Sequence, residues 1–488
     1  MTRRAAAGTI GDPVPGDEEL DALKERIRPF EEAEAALVRD VVSSPAWLSE
    51  ADEASLRYAL NLARTTVVRG RDGADVDLEG FLAPYREDVL SIAVPALLGG
   101  RAVDRAETAR VVPNLALHAR AWRNRAAAAF ADRLSPAAID REVCEKALVV
   151  VCGGGGGVAW SYLGAFALLE QYGLVPRLLA GTSMGAVLLL FRARRVRWHA
   201  EDVDEALRGL TFRSLFRFLQ TDARYGLPAA MRLYLRAAIG EFLRGPDGHP
   251  LTLGQLAIPL VVACTGIRNG ALPRDPSYYE HLLDLHGREP RPFVVKRLVS
   301  EIFQALGELI VQRDRFARLY LGADEETRAF DAIDAVGFSS ALPGVIHYDV
   351  LREDERMHRL LAALLDRHDV ARLVDGGLVD NLPARAAWAA VQRGAVGPRN
   401  AFVLALEGFA PKLSQPIWFG LEQLAAQNVQ RNRPFIHHLR SFERVLSPME
   451  IVPSADELQR AVQAGKAELH LDMPFVSRMV RPFPALPA

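Results

Sequence analysis

Residues 147–166 read ALVVVCGGGGGVAWSYLGAF, and the fold of the chain is decided by what this stretch forms. Its length and lack of charge fit a membrane span, while its glycines fit a nucleotide-binding loop or a loop that stabilises an oxyanion. Five consecutive glycines would break a membrane helix, because each interior glycine costs about 1 kcal/mol relative to alanine. The stretch therefore predicts a buried strand at 147–152, a glycine loop, and a helix over about 161–172.

The glycine loop does not satisfy the two common nucleotide-binding patterns. A phosphate loop requires Lys-Ser or Lys-Thr after its glycines, and neither pair follows here. Gly154, Gly156 and Ala159 match the spacing of a dinucleotide fingerprint, but the region about 20 residues further on contains no acidic residue. A loop whose backbone N–H groups face an oxyanion is the interpretation that the sequence favours.

Composition limits the class of protein. The chain has 488 residues, half of them apolar, which is enough for two domains. Its 59 basic and 61 acidic residues nearly balance, so no nucleic-acid partner is expected. Three widely spaced cysteines (Cys144, Cys152 and Cys264) form no disulfide or metal-ligand pattern, which favours a reducing, cytoplasmic location. Residues 1–20 contain no apolar segment of a signal peptide and are predicted to be a flexible tail.

The residue pattern changes near position 140. Over 21–140, apolar residues recur at intervals of three and four, which predicts an all-helical N-terminal region without a catalytic cluster. After 145, strand-like and helix-like segments alternate, which is typical of an α/β fold. We place strands at 147–152, 177–180, 258–264, 371–374 and 401–406 and expect a three-layer α/β/α domain with a mostly parallel sheet.

A possible nucleophile lies at Ser183, within the G-x-S-x-G sequence Gly181-Thr182-Ser183-Met184-Gly185. This sequence follows a short apolar strand and precedes a helical pattern, as a nucleophile elbow requires. Gly181 and Gly185 would allow a sharp turn that exposes the hydroxyl at the positive end of the next helix. The motif is weak by itself, since a serine between two glycines also occurs in ordinary turns.

A serine nucleophile needs a base, and the best placed acid is Asp375. It ends an apolar strand and precedes Gly376 and Gly377, which let the backbone pass close to a neighbouring site. A carboxylate in this position could accept the serine proton directly. A turn after a strand is the alternative for this sequence. Later histidines (His437, His438 and His470) could serve a triad, but in α/β-hydrolases the glycine loop lies far upstream of the serine, whereas here one βα unit separates them.

Together, the glycine loop, the serine motif and the aspartate motif resemble the patatin-like phospholipase family in order and spacing. Members of that family hydrolyse lipid acyl esters with a serine–aspartate dyad. The resemblance spans about 145–475, with weaker similarity in 335–349 and in a closing helix at 454–469. It implies no cofactor or metal, Ser183 as nucleophile, Asp375 as base, and an oxyanion loop formed by Gly154, Gly155 and Gly156.

The sequence departs from the family directly after the glycine triplet. The family has any residue, then Arg or Lys, then Gly, whereas this chain has Gly157, Val158 and Ala159. A cation at that point could fix the loop or bind an anionic substrate. Its replacement leaves two questions, namely what holds the loop and whether a phospholipid is the preferred ester.

An arginine-rich segment at 192–236 contains aromatic residues between its cations, a pattern that suits peripheral contact with an anionic lipid surface. A cap of solvated helices explains the same pattern. The aromatic sequence at 415–424 could form a second lid element, although core packing is the more common role of such a sequence. The histidines show no metal-ligand spacing. Two alternatives to a lipid acyl hydrolase remain open: an esterase or thioesterase for soluble acyl substrates, and a non-catalytic lipid-binding module.

Overall fold

The computed structural model describes residues 15–208, 210–218, 223–271, 315–408, 428–443 and 445–487. Residues 1–14 of the expected tail lie outside this part of the chain, and the first helix begins at Pro15. The expected lid element at 415–424 also lies outside it. No helix within the described ranges is both long enough and apolar enough to cross a membrane.

Five helices form most of the N-terminal region: α1 (Pro15–Ser43), α2 (Glu50–Arg64), α3 (Ala83–Leu98), α4 (Arg105–Ala129) and α5 (Pro136–Cys144). Side-chain oxygens of Ser49, Asp104 and Ser135 accept hydrogen bonds from backbone amides at the starts of α2, α4 and α5. The region is not wholly helical, because β1 (Val67–Arg69) and β2 (Asp75–Asp77) pair as an antiparallel hairpin. The intervening Asp72-Gly73 explains this difference, since Gly73 adopts the positive φ of 77° that such a turn uses.

Buried ion pairs join this region to the rest of the chain. The Glu34 carboxylate of α1 accepts hydrogen bonds from Lys146 Nζ at 2.7 Å and from Arg57 Nε at 2.9 Å. All three side chains are almost fully buried, and Lys146 directly precedes the central strand of the following sheet. Removal of one partner would leave a buried charge uncompensated, which is strongly destabilising. These contacts therefore fix the position of α1 against the sheet.

The strands after residue 145 are β3 (Ala147–Cys152), β4 (Leu178–Gly181), β5 (Phe216–Phe218), β6 (Ala229–Leu233), β7 (Leu260–Arg268), β8 (Phe316–Leu321), β9 (Gly344–His347), β10 (Val370–Asp375), β11 (Ala401–Glu407) and β12 (His438–Ser441). The large sheet has the order β10-β7-β4-β3-β11-β12, with β8 also beside β7. Strands β12, β11, β3, β4 and β7 are parallel, and β8 and β10 are antiparallel to β7. The predicted mostly parallel sheet is confirmed.

The remaining helices are α6 (Tyr162–Gln171), α7 (Ser183–Ala193), α8 (Glu201–Leu207), α9 (Phe212–Leu215), α10 (Leu235–Ile239), α11 (Ala332–Ser339), α12 (Glu355–His368), α13 (Ala384–Gln392), α14 (Ala455–His470) and α15 (Met473–Val480). Every residue of β3 is buried, as expected for a parallel strand covered on both faces. Alternate β3 side chains pack in two cores, one with α6, α7 and α14 and the other with α13 and part of α1. This arrangement confirms the α/β/α layering.

A separate three-stranded sheet of β5, β6 and β9 lies near α8, α9 and α10, and the apolar side chains of these elements join the core that contains α7. We call these six elements the cap. The closing helix α14 packs closely on the other side of the glycine loop. A Cβ atom at Gly465 would come within 1.9 Å of the Ser161 carbonyl oxygen, and one at Gly164 would come within 2.1 Å of the Val462 carbonyl oxygen. Glycine at both positions is what allows α6 and α14 to approach.

Candidate active site

Ser183 occupies a sharp turn between β4 and α7. Its φ of +52° lies in the left-handed region, which a residue other than glycine seldom adopts and which often marks a functional turn. Gly181 and Gly185 make the turn possible. A Cβ atom at Gly185 would lie 2.4 Å from the Gly153 carbonyl oxygen, and one at Gly181 would lie 2.8 Å from Leu189 Cδ1. Close approach of neighbouring atoms therefore explains why both positions of the serine motif are occupied by glycine.

The turn is fixed by a serine that sequence reasoning did not single out. The Ser183 amide donates to Ser339 Oγ at 2.8 Å, and that hydroxyl donates to the Ala263 carbonyl oxygen at 2.6 Å. Ser339 is the last residue of α11, within the segment 335–349 that resembles the family. Its small polar side chain thus links the turn to β7.

Asp375 ends β10, next to Cys264 of β7 in the antiparallel register. Its carboxylate is buried, accepts a hydrogen bond from the Gly377 amide at 2.7 Å, and lines the same cavity as Ser183, whose side chain is near enough to influence its ionisation. Burial raises the pKa of this carboxyl to about 6, although the nearby Ser183 side chain and the Gly377 amide oppose that rise. The structure therefore places the predicted nucleophile and the predicted base side by side at one cavity.

Backbone contacts hold Asp375 on both sides. Its amide donates to the Ala341 carbonyl oxygen at 2.9 Å, and its own carbonyl accepts a hydrogen bond from Thr265 Oγ1 at 2.8 Å. A Cβ atom at Gly376 would lie only 2.2 Å from the Ala263 carbonyl oxygen. Glycine at this position therefore lets the chain pass β7 and keeps the carboxylate beside Ser183.

The glycine loop begins at Gly153 and passes close to Ser183. The Gly154 amide donates to Asn381 Oδ1 at 3.2 Å, and the Gly157 amide donates to the Pro448 carbonyl oxygen at 3.0 Å. The amides of Gly155 and Gly156 have no hydrogen-bond partner within the described ranges. Of the three glycines predicted to form the oxyanion loop, Gly154 thus uses its amide to fix the loop, and the other two leave theirs available.

The segment after β12 holds the loop at the point where the family cation is missing. Gly156 has a φ of +56°, and a Cβ atom there would lie 2.0 Å from the Pro448 carbonyl oxygen. Val158 and Ala159 are buried in the core, so a charged side chain at these positions would have to be desolvated. Contact with the backbone at Pro448 takes over the fixing of the loop that a cation could provide.

Asn381 is the second residue that sequence reasoning missed. Its side chain is 5% exposed, its Oδ1 accepts from Gly154, and its Nδ2 has no partner among the described residues. It follows Asp380, whose carboxylate accepts hydrogen bonds from Tyr320 at 2.6 Å and Asn432 at 2.8 Å. The available signal was an Asp-Asn pair five and six residues after Asp375, because such polar side chains normally have a defined partner when they are buried.

A cavity of about 180 Å³ opens beside the Ser183–Asp375 pair. Its polar end contains these two residues, Asn381, Ser340 and the glycine loop. The rest is apolar, with walls from α7, the cap and the segment after β12, among them Met184, Val187, Phe191, Met231, Leu233 and Ile346. An ester carbonyl at the polar end would therefore have an apolar space beside it for its acyl chain.

The later histidines lie elsewhere. His437 Nδ1 accepts a hydrogen bond from the Val403 amide at 2.9 Å, and its Nε2 lies 3.2 Å from Glu31 of α1. His438 Nε2 lies 3.2 Å from Asp472, and none of the predicted histidines lines the cavity. The serine and the aspartate thus meet without a histidine between them in the described part of the chain.

Several arginines of 192–236 have internal partners. Arg192 is buried and donates to the carbonyl oxygens of residues 195 and 196, and Arg194 pairs with Asp202 at 3.1 Å. Arg236 contacts the carboxylates of Asp331, Asp334 and Asp354. Among the described residues, these three form the one group of acidic side chains that lie close enough together to hold a metal ion. The guanidinium of Arg236 already lies against these oxygens, so the cluster is a structural ion pair between α10 and neighbouring helices.

The α/β/α fold thus brings a strained serine turn and a buried aspartate together at one cavity. Residues 150–388 match the family model described as patatin-like phospholipase. The chain therefore carries a domain of the patatin-like phospholipase family, whose members are hydrolases of lipid esters.

The other comparisons add less. The crystal structure of VipD from Legionella pneumophila is similar at 13% identity and a TM-score of 0.34, over 68% of this chain and 67% of that one. The similarity of the two structures is weak at this TM-score. The curated proteins contain no match to the sequence.

Proposed function

We propose that the chain is a lipid acyl hydrolase in which Ser183 is the nucleophile and Asp375 the base. The observation that carries the proposal is the placement of Ser183, on its sharp turn, beside the buried Asp375 carboxylate at the polar end of an apolar cavity. A nucleophilic hydroxyl and its base must lie within hydrogen-bond reach, and a carboxyl pKa of about 6 leaves the base ionised near neutral pH.

In the proposed reaction, Ser183 Oγ attacks the ester carbonyl carbon and its proton passes to Asp375. The negative charge that develops on the carbonyl oxygen would be stabilised by the amides of Gly155 and Gly156. The tetrahedral intermediate then collapses, the carbon–oxygen bond to the alcohol breaks, and the alcohol takes the proton from Asp375. Water activated by the same carboxylate hydrolyses the acyl-serine and releases the fatty acid.

The substrate class follows from the walls of the cavity. They are almost entirely apolar beyond the dyad, which favours a fatty-acyl chain over a small polar acyl group. We further propose that segment 192–236 makes peripheral contact with a membrane that supplies the lipid. An esterase or thioesterase for soluble acyl groups would use the same dyad but would prefer substrates without a lipid surface.

Labelling by a fluorophosphonate probe tests the proposed nucleophile. Wild-type protein should be labelled, Ser183→Ala should not, and Ser340→Ala should be, because Ser340 lines the same cavity but donates its hydroxyl to the Val336 carbonyl oxygen. Retained labelling of folded Ser183→Ala would contradict the assignment. Products from a mixed-lipid extract, compared with rates on soluble acyl thioesters, would then separate the lipid hydrolase from the soluble-substrate alternative.

The expected division is a tail at 1–20, a helical region at 21–140 and a hydrolase domain at 145–475. We keep it as a proposal, with the helical region beginning at Pro15. The buried contacts between Glu34, Arg57 and Lys146 favour a close association of the last two parts. Limited proteolysis should therefore leave residues 21–475 as one resistant unit, and early cleavage near 140 with separation of two stable fragments would contradict a close association.

A further inference from the structure

The cavity beside Ser183, which we call the acyl cavity, follows one face of α7. Met184, Val187 and Phe191 line it, and their spacing of three and four residues places all three on the same face of that helix. All three side chains are buried. Because α7 begins at Ser183, this apolar face leads from the nucleophile toward the C-terminal end of the helix.

The two ends of the acyl cavity differ in their access to solvent. Met449, in the segment after β12, also lines the cavity and is 47% exposed, whereas Phe191 is 7% exposed. The cavity thus has an open end near Met449 and a buried end along α7. With an ester carbonyl at Ser183, the alcohol part would face the open end and the acyl chain would follow α7.

Helix α8 forms the wall at the buried end. Arg194 directly follows the last residue of α7 and pairs with Asp202 of α8 at 3.1 Å, which holds α8 against the C-terminal end of α7. Val203 and Ala206 lie three residues apart on one face of α8, are buried, and line the cavity. An acyl chain that follows α7 would therefore end at these two side chains.

The turn between α7 and α8 is fixed by contacts with α6. The ring of Trp198 packs edge-on against the ring of Phe166, with 5.5 Å between the ring centres. The Trp198 amide donates to the Glu170 carboxylate at 3.1 Å. Since α6 belongs to the layer that packs on the sheet, the wall formed by α8 should resist displacement by a longer chain.

Two measures of the cavity give the length of chain that it accepts. Phe191 lies eight residues after Ser183, a distance of about 12 Å along a helix. An extended chain advances about 1.25 Å per carbon, given the usual bond length and angle, so about ten carbons reach this level. An apolar cavity of about 150 Å³ holds one benzene molecule, so the 180 Å³ found here would hold about seven carbons.

We propose that α8 closes the acyl cavity and that the preferred substrates carry medium-chain acyl groups of about seven to ten carbons. This inference rests on the proposed hydrolysis at Ser183 and names the substrate class within acyl esters. A shorter chain leaves apolar wall uncovered, and a longer chain has to displace α8 or keep part of its length in water. Val203 and Ala206 are then the residues that set the length limit.

The test measures kcat/KM of the full chain on p-nitrophenyl esters from acetyl to palmitoyl, below their aggregation concentrations, with Ser183→Ala as the blank. For wild type, kcat/KM should rise about fourfold per methylene to an optimum at octanoyl or decanoyl. It should then fall by roughly tenfold or more by palmitoyl, because the additional carbons have no apolar space.

The length limit is tested by a pair of matched variants. Ala206→Leu fills the far end and should lower the ratio of decanoyl to butanoyl hydrolysis by roughly tenfold or more. Ala200→Leu adds the same side chain at an exposed position before α8, outside the cavity, and should change this ratio by less than roughly twofold. Phe191→Leu enlarges the far end and should move the optimum toward longer chains, so it replaces Ala206→Leu if that variant does not fold.

Hydrolysis that depends on Ser183 and keeps rising to palmitoyl would overturn the proposal and leave the nucleophile assignment intact, as would equal effects of Ala206→Leu and Ala200→Leu. Absence of such hydrolysis with every ester would instead reject the proposed function, and fatty-acid binding then decides the length limit. At equal free concentrations, stabilisation against thermal unfolding should be greatest with octanoate or decanoate. Stabilisation that continues to grow to myristate would overturn the proposal in that case.

Discussion

Replacement of Asp375 by asparagine should make the protein inactive and, at neutral pH, more stable. Asparagine has nearly the same shape and keeps an oxygen that can accept the hydrogen bond from the Gly377 amide. What it removes is the cost of an ionised carboxylate in a buried site. That cost can be worked out from the shifted pKa.

The carboxyl pKa is raised from 3.8 to about 6 in the folded chain. Each tenfold change in the ionisation equilibrium corresponds to about 1.36 kcal/mol, so the ionised form loses about 3 kcal/mol on folding. Because the pKa is raised, the carboxyl contributes its full stability below about pH 4 and loses it as the pH rises through about 6. The advantage of Asp375→Asn in the free energy of unfolding should therefore grow by about 3 kcal/mol over this range.

Urea unfolding of wild type and Asp375→Asn at several pH values measures this difference in the free energy of unfolding. The other titratable groups are common to both proteins, so their contributions cancel from the difference. Between pH 5 and pH 8 the difference should grow by about 1.4 kcal/mol in favour of the variant. Ser183→Ala provides a second check, because the Ser183 hydroxyl opposes the rise of the carboxyl pKa and its removal should raise that pKa further. A difference that stays constant or shrinks with rising pH would refute the assignment of a buried, ionisable base at this position.

Three further predictions concern activity. The value of kcat/KM should rise with pH around an apparent pKa of about 6, since the base must be ionised, and a profile that falls over this range would contradict it. Asn381→Ala should lower kcat by roughly tenfold or more with little change in KM, because it frees the Gly154 amide and loosens the loop; an effect on KM alone would point to substrate binding instead. Gly156→Ala should abolish hydrolysis, because the added carbon overlaps the Pro448 carbonyl, whereas Gly173→Ala, at a similar φ of +68° with nothing within 4 Å, should cost only about 1 kcal/mol of stability. Equal activity of these two glycine variants would show that the loop tolerates displacement.

The central sheet could be predicted because its strands are fully buried. Continuous short apolar runs such as ALVVVC at 147–152 are typical of strands buried on both faces. Each of the five expected strands overlaps an observed one. Strand β12 was missed because its sequence, HLRS, is short and only half-buried. The cap strands β5 and β6 were missed because they are only three and five residues long and lie within a segment that also suits amphipathic helices.

The candidate site was predictable where a motif fixes the backbone. The glycines around Ser183 and after Asp375 are required by close approaches that no other residue allows, so they leave a signal in the sequence. The contacts that position these motifs leave no such signal. Ser339 and Pro448 reach the site from distant parts of the chain through hydrogen bonds, and only the folded structure shows which groups they meet.

The central claim is that Ser183 carries the acyl group during hydrolysis. The most direct measurement is peptide mapping by mass spectrometry after a brief reaction with an activated fatty-acyl ester and an acid quench. The account predicts an added acyl mass on the peptide that contains Ser183 in wild type, and no such mass in Ser183→Ala. Ester hydrolysis by wild type with the acyl group on another residue would contradict the account.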